Sequence, residues 1–294
     1  MSRPTNFAPW SGHEFVIPQR NLSLLSNRLA RAGGRRIPET VLEQDYCLSW
    51  FLIGLSRSPL RERLVFKGGT ALKKCYFPDY RFSEDLAFTL AQPVGFETIR
   101  GELAEVFEEA RRASGVALKY AREDRHPHVN SYTFYLGYEG PLPGRATGKE
   151  VKVDITIREE VVFPVEELPV LRSYDEYEDL PSDARLRVYS LREIAAEKVV
   201  ALLDRARNEP RDLYDLWYLA EHGRVSLDQI MEAVGRKVAA RGQELETLGG
   251  LVRDKEARYR RLWQTRLSAQ VAILPDFDRA FRAVRRALRQ AGVK

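Results

Sequence analysis

The pattern of apolar and polar positions divides the chain into a mixed region followed by a helical region. Short apolar or alternating runs near residues 64, 86, 117, 133 and 153 predict strands. Helical spacing predicts a helix over about residues 96–113 and a helical region over about 21–57, where Pro38 can start the second helix. After residue 191 the pattern is helical to the end. We therefore expect an α+β fold, with a mixed sheet and a mainly helical C-terminal lobe.

Two segments between these elements have the composition of loops. Residues 163–181 are acidic and contain Pro164, Pro169 and Pro181, which predicts a connector between lobes. The expected domains are residues 1–165 and 166–294. Residues 137–148, rich in glycine and proline, predict a hairpin loop or a flexible flap.

A candidate phosphate-binding turn follows the first predicted strand. The apolar run that begins at Leu64 ends at Gly68 and Gly69, and Thr70 then opens a stretch of helix-forming residues. Adjacent glycines let the backbone approach a phosphate closely, and the start of a helix favours an anion. The Thr70 hydroxyl could cap this helix or donate to a phosphate. This segment predicts a strand, a glycine turn and a helix from Thr70 onward.

Two later strands carry candidate carboxylates. Residues 85–90 alternate, so Asp85 and Ala87 project from one face. Two carboxylates at that spacing could hold Mg²⁺ together, but only Asp85 is acidic. In residues 151–157 the aliphatic side chains occupy the odd positions, which places Asp154 on the opposite, polar face with Lys152.

The helical region adds candidate cations and acids. A capping box formed by Ser190 and Glu193 predicts a helix start. Lys198 and Arg205 are seven residues apart on that helix, so they would share a face that could meet a polyphosphate. A further helix is predicted after Pro210, and its first two turns each carry an acidic residue, Asp212 and Asp215.

These blocks together carry a family resemblance over about residues 60–220. Four strings carry it: Phe66-Lys67-Gly68-Gly69-Thr70-Ala71-Leu72, Arg81-Phe82-Ser83-Glu84-Asp85-Leu86, Ala196-Glu197-Lys198 and Arg211-Asp212. They resemble the AbiEii-type nucleotidyltransferase family, which includes the MenT toxins of toxin–antitoxin systems. The resemblance implies a minimal polymerase-beta-like nucleotidyltransferase core. In that family the second strand ends Asp-x-Asp, and this sequence departs from the pattern at Ala87.

The resemblance implies a role for each motif residue. Asp85, Lys198 and Asp212 would be catalytic, although the sequence does not separate Asp212 from Asp215. Asp85, position 87 and Asp154 would hold Mg²⁺ or Mn²⁺. The residues expected to bind the nucleoside triphosphate are Lys67, Gly68, Gly69, Thr70, Ser83, Arg205 and Arg211.

The implied function is an RNA-modifying toxin. The enzyme would add nucleotides from a nucleoside triphosphate to RNA, with the 3′ acceptor end of tRNA as the expected target, and an antitoxin protein would be its partner. Ala87 predicts a weakened or inactive chain, through either an engineered change or natural divergence. Two alternatives stay open: an inactive nucleotide- or RNA-binding regulatory module, and a nucleotidyltransferase acting on proteins or small molecules.

Composition narrows the class of protein. Of the 294 residues, 44% are hydrophobic and 30% charged, as in ordinary globular proteins. No apolar run approaches the ~18 residues of a membrane span, and no secretory signal precedes the charged N-terminus. We therefore expect a cytoplasmic protein without a membrane partner. Cys47 and Cys75 are too few and too far apart in sequence for a disulfide framework or a zinc site.

The C-terminal region carries a basic excess. Residues 251–294 hold four acidic and twelve basic residues: Arg253, Lys255, Arg258, Arg260, Arg261, Arg266, Arg279, Arg282, Arg285, Arg286, Arg289 and Lys294. Such a surface suits an RNA backbone, with Tyr259 and Trp263 expected to stack on bases. The candidate RNA-binding residues are Arg258, Arg261, Arg285 and Arg286. A second basic stretch, Arg28, Arg31, Arg35 and Arg36, could extend this surface.

Overall fold

The sheet of this protein is mixed and extends further than the sequence indicates. The computed structural model describes residues 17–293 apart from 33, 127–128, 144–147, 206, 223 and 243–247. Its seven-stranded sheet has the order β3-β4-β5-β2-β1-β7-β6. The strands are β1 (Leu64–Lys67), β2 (Leu86–Leu90), β3 (Ala117–Glu123), β4 (Ser131–Glu139), β5 (Glu150–Thr156), β6 (Val165–Pro169) and β7 (Arg185–Tyr189). The strands β1 to β5 confirm the predicted positions.

Helices surround this sheet and form the C-terminal part of the fold. They are α1 (Gln19–Arg31), α2 (Glu39–Ser56), α3 (Gly68–Ala71), α4 (Phe96–Ser114), α5 (Leu191–Leu203), α6 (Pro210–Glu221), α7 (Met231–Ala240), α8 (Leu248–Asp254), α9 (Glu256–Leu267) and α10 (Phe277–Gln290). Helix α4 confirms its prediction, and Pro38 lies just before α2 as its cap. The α+β class is confirmed. Within the described ranges, no helix has the length and apolarity needed to cross a bilayer.

The two faces of the sheet differ in chemistry. One face is apolar and buried: the ring centroids of Phe66 and Phe88 lie 5.2 Å apart, and the ring of Phe96 of α4 lies 5.6 Å from that of Phe134. The other face carries Lys67, Ala87 and Asp154, because strand alternation puts them opposite the apolar residues. Pairing sets Ala87 beside Lys67 on β1 and beside Asp154 on β5. The sheet thus brings the candidate site together on its polar face.

The segment predicted as a plain connector contains a strand. Strand β6 pairs antiparallel with β7, and β7 pairs parallel with β1, so the sheet continues past residue 165. The connector prediction was therefore wrong for residues 165–169. Pro169 ends an edge strand, where a missing N–H costs little, so its presence did not exclude a strand. The expected boundary between residues 165 and 166 falls within β6, and the division into domains stays a prediction.

Helix α5 begins as predicted, but only half of the capping box forms. The Ser190 side chain accepts from the Glu193 backbone N–H at 3.3 Å. The Glu193 carboxylate does not return to the cap: it accepts from the N–H groups of Val162 and Phe163 and pairs with buried Lys237 at 2.6 Å. Glu193 therefore ties α5 to α7 and to the chain before β6.

Candidate functional site

The glycine turn begins a helix directly at the end of β1. Helix α3 starts at Gly68, two residues earlier than predicted, and continues as a π-helical turn over Leu72–Tyr76. Gly68 has φ +78°, in the left-handed region that favours glycine, and a Cβ on Gly69 would collide with the Arg81 guanidinium. The first N–H groups of a helix have no partner within it, so this turn presents donors to an anion.

The Thr70 hydroxyl has a different role from the predicted helix cap. It donates to the backbone carbonyl of Asp85, which fixes the start of β2 against α3. The loop before Asp85 is also held by Gln44 of α2, which donates to the Glu84 carbonyl at 2.9 Å. On its other side the Phe82 N–H donates to the Gln270 carbonyl at 2.8 Å. Asp85 is therefore positioned by contacts from distant parts of the chain.

Four charged side chains next to this turn form what we call the cleft group: Asp85, Lys152, Asp154 and Arg211. The Lys152 Nζ lies 2.9 Å from Asp154 Oδ2, and the Arg211 Nη1 lies 3.6 Å from Asp85 Oδ2. The Thr133 hydroxyl donates to the other oxygen of Asp154 at 2.7 Å. Exposed fractions are 42% for Asp85, 36% for Lys152, 38% for Asp154 and 23% for Arg211. A ligand from solvent can therefore reach all four.

The charges of the cleft group act on one another. Burial raises the pKa of Asp85, nearby acidic Asp154 adds to this, and Arg211 partly offsets it. Burial works to lower the pKa of Lys152, but the hydrogen bond to Asp154 and its charge outweigh burial, so the Lys152 pKa is raised. Lys152 is thus an ammonium at neutral pH, held against a carboxylate.

The carboxylates of the cleft group do not make up a complete magnesium site. The Ala87 methyl lies beside Asp154 in the sheet and faces Gly68, where a Cβ would be 3.5 Å away, and it offers no ligand. Asp85 and Asp154 each face a cation instead. Throughout the described part of the chain, no three His, Cys, Asp or Glu side chains gather in a way that could hold a metal. Because Mg²⁺ is usually held by one or two carboxylates together with substrate phosphates, and both carboxylates here are paired with cations, the residues present do not fit this ion.

A second set of charges lies beneath the surface, and we call it the buried ion cluster: Arg81, Lys198, Arg207, Asp212 and Asp215. Asp215 is 0% exposed and accepts from Arg81 through both carboxylate oxygens, at 2.7 and 2.9 Å. The Lys198 Nζ lies 2.6 Å from its Oδ2, and the Tyr80 hydroxyl donates to its Oδ1 at 2.6 Å. Asp215 therefore joins α5, α6 and the loop before β2.

Asp212 is the other acid of the buried ion cluster. It accepts from Lys198 at 2.7 Å and from Arg207 at 2.6 Å. Burial alone would raise the pKa of both Asp212 and Asp215, but the surrounding cations outweigh burial and lower it. The Arg207 side chain is 45% exposed, so the cluster reaches the surface on the Asp212 side. Asp212 and Asp215 are both buried, and they differ in the exposure of their second cation, which is Arg207 for Asp212 and buried Arg81 for Asp215.

The prediction that Arg205 shares a helix face with Lys198 was wrong. Helix α5 ends at Leu203, because the Lys255 ammonium donates to the carbonyls of Leu202, Asp204 and Arg207 at 2.6–3.0 Å. Arg205 lies exposed beyond that end. Lys255, counted among the cations of a basic surface, is buried in this role and does not contribute to such a surface.

Lys67 and Ser83 are two further candidates for nucleotide binding. Lys67 is 8% exposed and its Nζ donates to Thr156 at 3.0 Å and to Glu197 at 3.1 Å, which links β1 to β5 and α5. Ser83 is half-buried in the loop before β2. The structure therefore brings Gly68, Asp85, Asp154 and Arg211 together around Ala87, and it places Lys198, Asp212 and Asp215 in the adjoining buried ion cluster.

The C-terminal helices present a basic surface without the expected aromatic side chains. Arg258, Arg261 and Arg286 are exposed, and Arg285 is half-buried. Tyr259 and Trp263 are each 1% exposed, so the prediction that they stack on bases was wrong. Helical spacing turns them inward, where Trp263 packs against Tyr214 of α6 and Phe277 of α10. Lys294 lies outside the described residues.

The N-terminal basic stretch adjoins this surface. The Arg35 side chain donates to Gln264 of α9 at 3.3 Å, one helical turn from Arg261, and its backbone N–H donates to Ala272 at 2.9 Å. Arg28 is instead paired with Glu176. The two basic segments are therefore neighbours around α9.

The sequence did not indicate the roles of three charged residues. Lys152 was recognised only as a neighbour on the face of Asp154, and Arg81 only as part of a motif string. Arg207 lies in a turn without periodicity, so no local signal singles it out. Each of them pairs with a carboxylate that only folding brings close: Lys152 with Asp154, Arg81 with Asp215 and Arg207 with Asp212.

Comparisons with known proteins agree with this architecture. The family described as nucleotidyl transferase AbiEii toxin, type IV toxin–antitoxin system, matches residues 50–287. Among solved structures, the nucleotidyltransferase toxin MenT4 from Mycobacterium tuberculosis aligns with a TM-score of 0.63 at 19% identity, over 92% of this chain and 89% of that one. At this identity the likeness shows a shared fold. No curated protein sequence matches the chain.

Proposed function

Because the chain belongs to the nucleotidyltransferase AbiEii toxin family of type IV toxin–antitoxin systems, we propose that it is built to transfer nucleotides from a nucleoside triphosphate to RNA. The 3′ acceptor end of tRNA is the proposed target, an antitoxin protein the proposed partner, and the cytoplasm the proposed location. Blocking the acceptor end would prevent aminoacylation and stop translation.

The observation that carries this proposal is the convergence of the turn at Gly68 with Asp85, Asp154 and Arg211 around position 87. N–H groups at the start of α3 and the Arg211 guanidinium would bind phosphates of the nucleotide. The acceptor hydroxyl, losing its proton, would form a bond to the α-phosphorus. The bond from that phosphorus to the bridging oxygen would break, and pyrophosphate would leave.

The buried ion cluster supports this site from below in the same proposal. Asp212 holds Lys198 and Arg207, and the residue before it, Arg211, reaches Asp85. Lys198 and Asp212 would therefore be needed for activity because they fix the start of α6 and with it the position of the Arg211 guanidinium. The RNA would lie along the basic surface at Arg258, Arg261, Arg285 and Arg286, whose charges attract phosphates without regard to sequence.

Ala87 explains why the unmodified chain would have low transferase activity. Replacing a metal-binding carboxylate by a methyl group removes a ligand, and losing one such group typically lowers the rate by ~10²-fold or more. We propose that Ala87→Asp restores transfer. The carboxylate introduced at position 87, with Asp85 and Asp154, would then hold Mg²⁺ or Mn²⁺.

The test is transfer of label from each of the four nucleoside triphosphates to total RNA. We expect the Ala87→Asp variant to exceed the unmodified chain by ~10²-fold or more, and Asp85→Ala in that background to remove the gain. If no triphosphate is transferred with either Mg²⁺ or Mn²⁺, the proposed function is wrong. Digestion with ribonuclease separates labelled RNA from labelled protein or small molecules.

A second candidate function is a regulatory module that binds nucleotide or RNA without chemistry. It is favoured by Ala87 together with the pairing of both remaining carboxylates to cations. It predicts that the Ala87→Asp variant transfers no label and that Asp85→Ala leaves RNA binding unchanged.

A further inference from the structure

We propose that this chain binds the triphosphate of its nucleotide without a divalent cation, with Lys152 and Arg211 supplying the positive charge that a metal ion would provide in a complete site. The proposal rests on the nucleotide site proposed above. It assigns a ligand-binding role to Lys152, and it gives the cleft group one ligand class, a polyphosphate free of metal.

The first support is the charge balance of the cleft group. Asp85 and Asp154 carry two negative charges, and Lys152 and Arg211 carry two positive charges at 2.9 and 3.6 Å from them. The charges of the four members therefore sum to zero before a ligand binds, and Glu84 and Glu209 are further acids beside them. A third carboxylate at position 87 would make it negative and would repel a polyphosphate unless a cation intervened. With Ala87 that repulsion is absent.

The second support is the position of Lys152. Its ammonium lies on the same strand face as Asp154, two residues away, and its pair with Asp154 is 36% and 38% exposed. The Thr133 hydroxyl donates to the other oxygen of Asp154, so the carboxylate keeps a partner if the ammonium turns to a phosphate. Lys152 can therefore exchange one anionic partner for another at small cost.

The third support is Arg211. At 3.6 Å its guanidinium is in ionic contact with Asp85 but beyond normal hydrogen-bond distance, and its second acidic neighbour, Glu209, lies at 3.5 Å. These loose contacts leave its N–H groups able to bind two phosphate oxygens at once, which a guanidinium does well. Arg211 also stands at the start of α6, next to Asp212 of the buried ion cluster, so its backbone is fixed.

The experiment is calorimetric titration of the whole chain with inorganic triphosphate and with each of the four nucleoside triphosphates, in EDTA and in excess Mg²⁺. We expect the unmodified chain to bind in EDTA, with a Kd no more than about threefold higher than its Kd in Mg²⁺. For Ala87→Asp we expect Mg²⁺ to increase the affinity by about tenfold or more, because the added negative charge then requires a cation.

Charge-removing variants identify the groups involved. Lys152→Met and Arg211→Gln should each weaken binding in EDTA by about tenfold, the loss of one charge-assisted hydrogen bond. Arg211→Lys keeps the charge and should lose less. The matched control is Lys119→Met, which removes one charge from an exposed lysine on β3 and should leave affinity unchanged. Far-ultraviolet circular dichroism checks that each variant is folded.

Either of two results would overturn the inference. In the first, the unmodified chain binds the triphosphate with Mg²⁺ but not in EDTA. In the second, the Lys152→Met and Arg211→Gln variants bind as tightly as the Lys119→Met control. Its failure is distinct from failure of the proposed function. If Ala87→Asp transfers label but the unmodified chain needs Mg²⁺ to bind, only this inference fails. If the unmodified chain binds in EDTA but Ala87→Asp transfers nothing, the inference holds as nucleotide binding and the transferase proposal fails.

Discussion

The buried ion cluster and the cleft group are built from the same residue types, yet the fold uses them differently. In the cluster, Asp215 is 0% exposed and every charged partner lies within 2.9 Å. In the cleft group, Asp85 is 42% exposed and its cation lies at 3.6 Å. Buried charges must be paired closely because water is absent, whereas exposed charges can be left loosely paired for a ligand. The first set should govern stability and hold Arg211 in place, and the second should contact the nucleotide.

The largest effect should follow from breaking the enclosed half of the cluster. Asp215→Asn leaves Arg81 and Lys198 buried against a neutral amide, and removing one member of a buried ion pair costs about 3–5 kcal/mol. We expect this loss in the free energy of unfolding, measured with a chemical denaturant. A variant as stable as the unmodified chain would show that the cluster does not hold α5 and α6 together.

A smaller loss should follow on the side of the cluster that reaches the surface. Asp212→Asn leaves Lys198 paired with Asp215, and Arg207 is 45% exposed and can be solvated. We expect a loss of about 1–3 kcal/mol, since fewer buried partners are left unsatisfied. Denaturant unfolding of both variants side by side tests the order, and a larger loss for Asp212→Asn than for Asp215→Asn would contradict it.

Acid should act on the cluster in a direction that its pKa shifts fix. The pKa of Asp212 and Asp215 is lower in the folded protein than the ordinary value of 3.8. Both carboxylates therefore stabilise the fold above that value, and the contribution is lost as pH falls below it. Denaturant midpoints measured from neutral pH downward should decline below about pH 4, and less steeply in Asp215→Asn. Equal slopes in both proteins would contradict this assignment.

The smallest effect on stability should come from the cleft group. Asp85→Asn removes a half-buried carboxylate whose ion pair with Arg211 is long at 3.6 Å and whose pKa is raised by burial. We therefore expect the free energy of unfolding to change by less than about 0.5 kcal/mol. In the Ala87→Asp background the same change should remove nucleotide transfer by about 10²-fold. Parallel unfolding and transfer assays test this. A large loss of stability would place Asp85 with the structural charges instead.

The sequence was most informative where the signal is local. Apolar or alternating runs located β1 to β5, and the apolar face at Phe66 and Phe88 is buried. The prediction missed β7 and also β6, a short edge strand ending in Pro169. The arginines around Tyr259 and Trp263 wrongly suggested that these two side chains are exposed. Interleaving with arginine suggested a binding surface, but the same spacing also describes an amphipathic helix whose inner face is aromatic.

The candidate site shows the same division at the scale of single residues. The turn at Gly68 and the polar face of Asp154 follow from strand and turn geometry, and the missing carboxylate at Ala87 follows from the resemblance to the family. The end of α5 does not: Lys255, more than fifty residues later, binds the carbonyls of Leu202 and Asp204 on either side of that end, and Arg205 lies outside the helix.

By itself, the sequence determined the fold class and the glycine turn, because strand alternation, glycine freedom and helix capping depend on neighbours along the chain. The motif residues came from the resemblance to the family. Only the tertiary structure decided which charges are enclosed and which are open. Burial and charge pairing depend on segments far apart in sequence, so Asp215 became a buried anchor, while Lys152 and Arg211 came to stand beside the two carboxylates that flank Ala87.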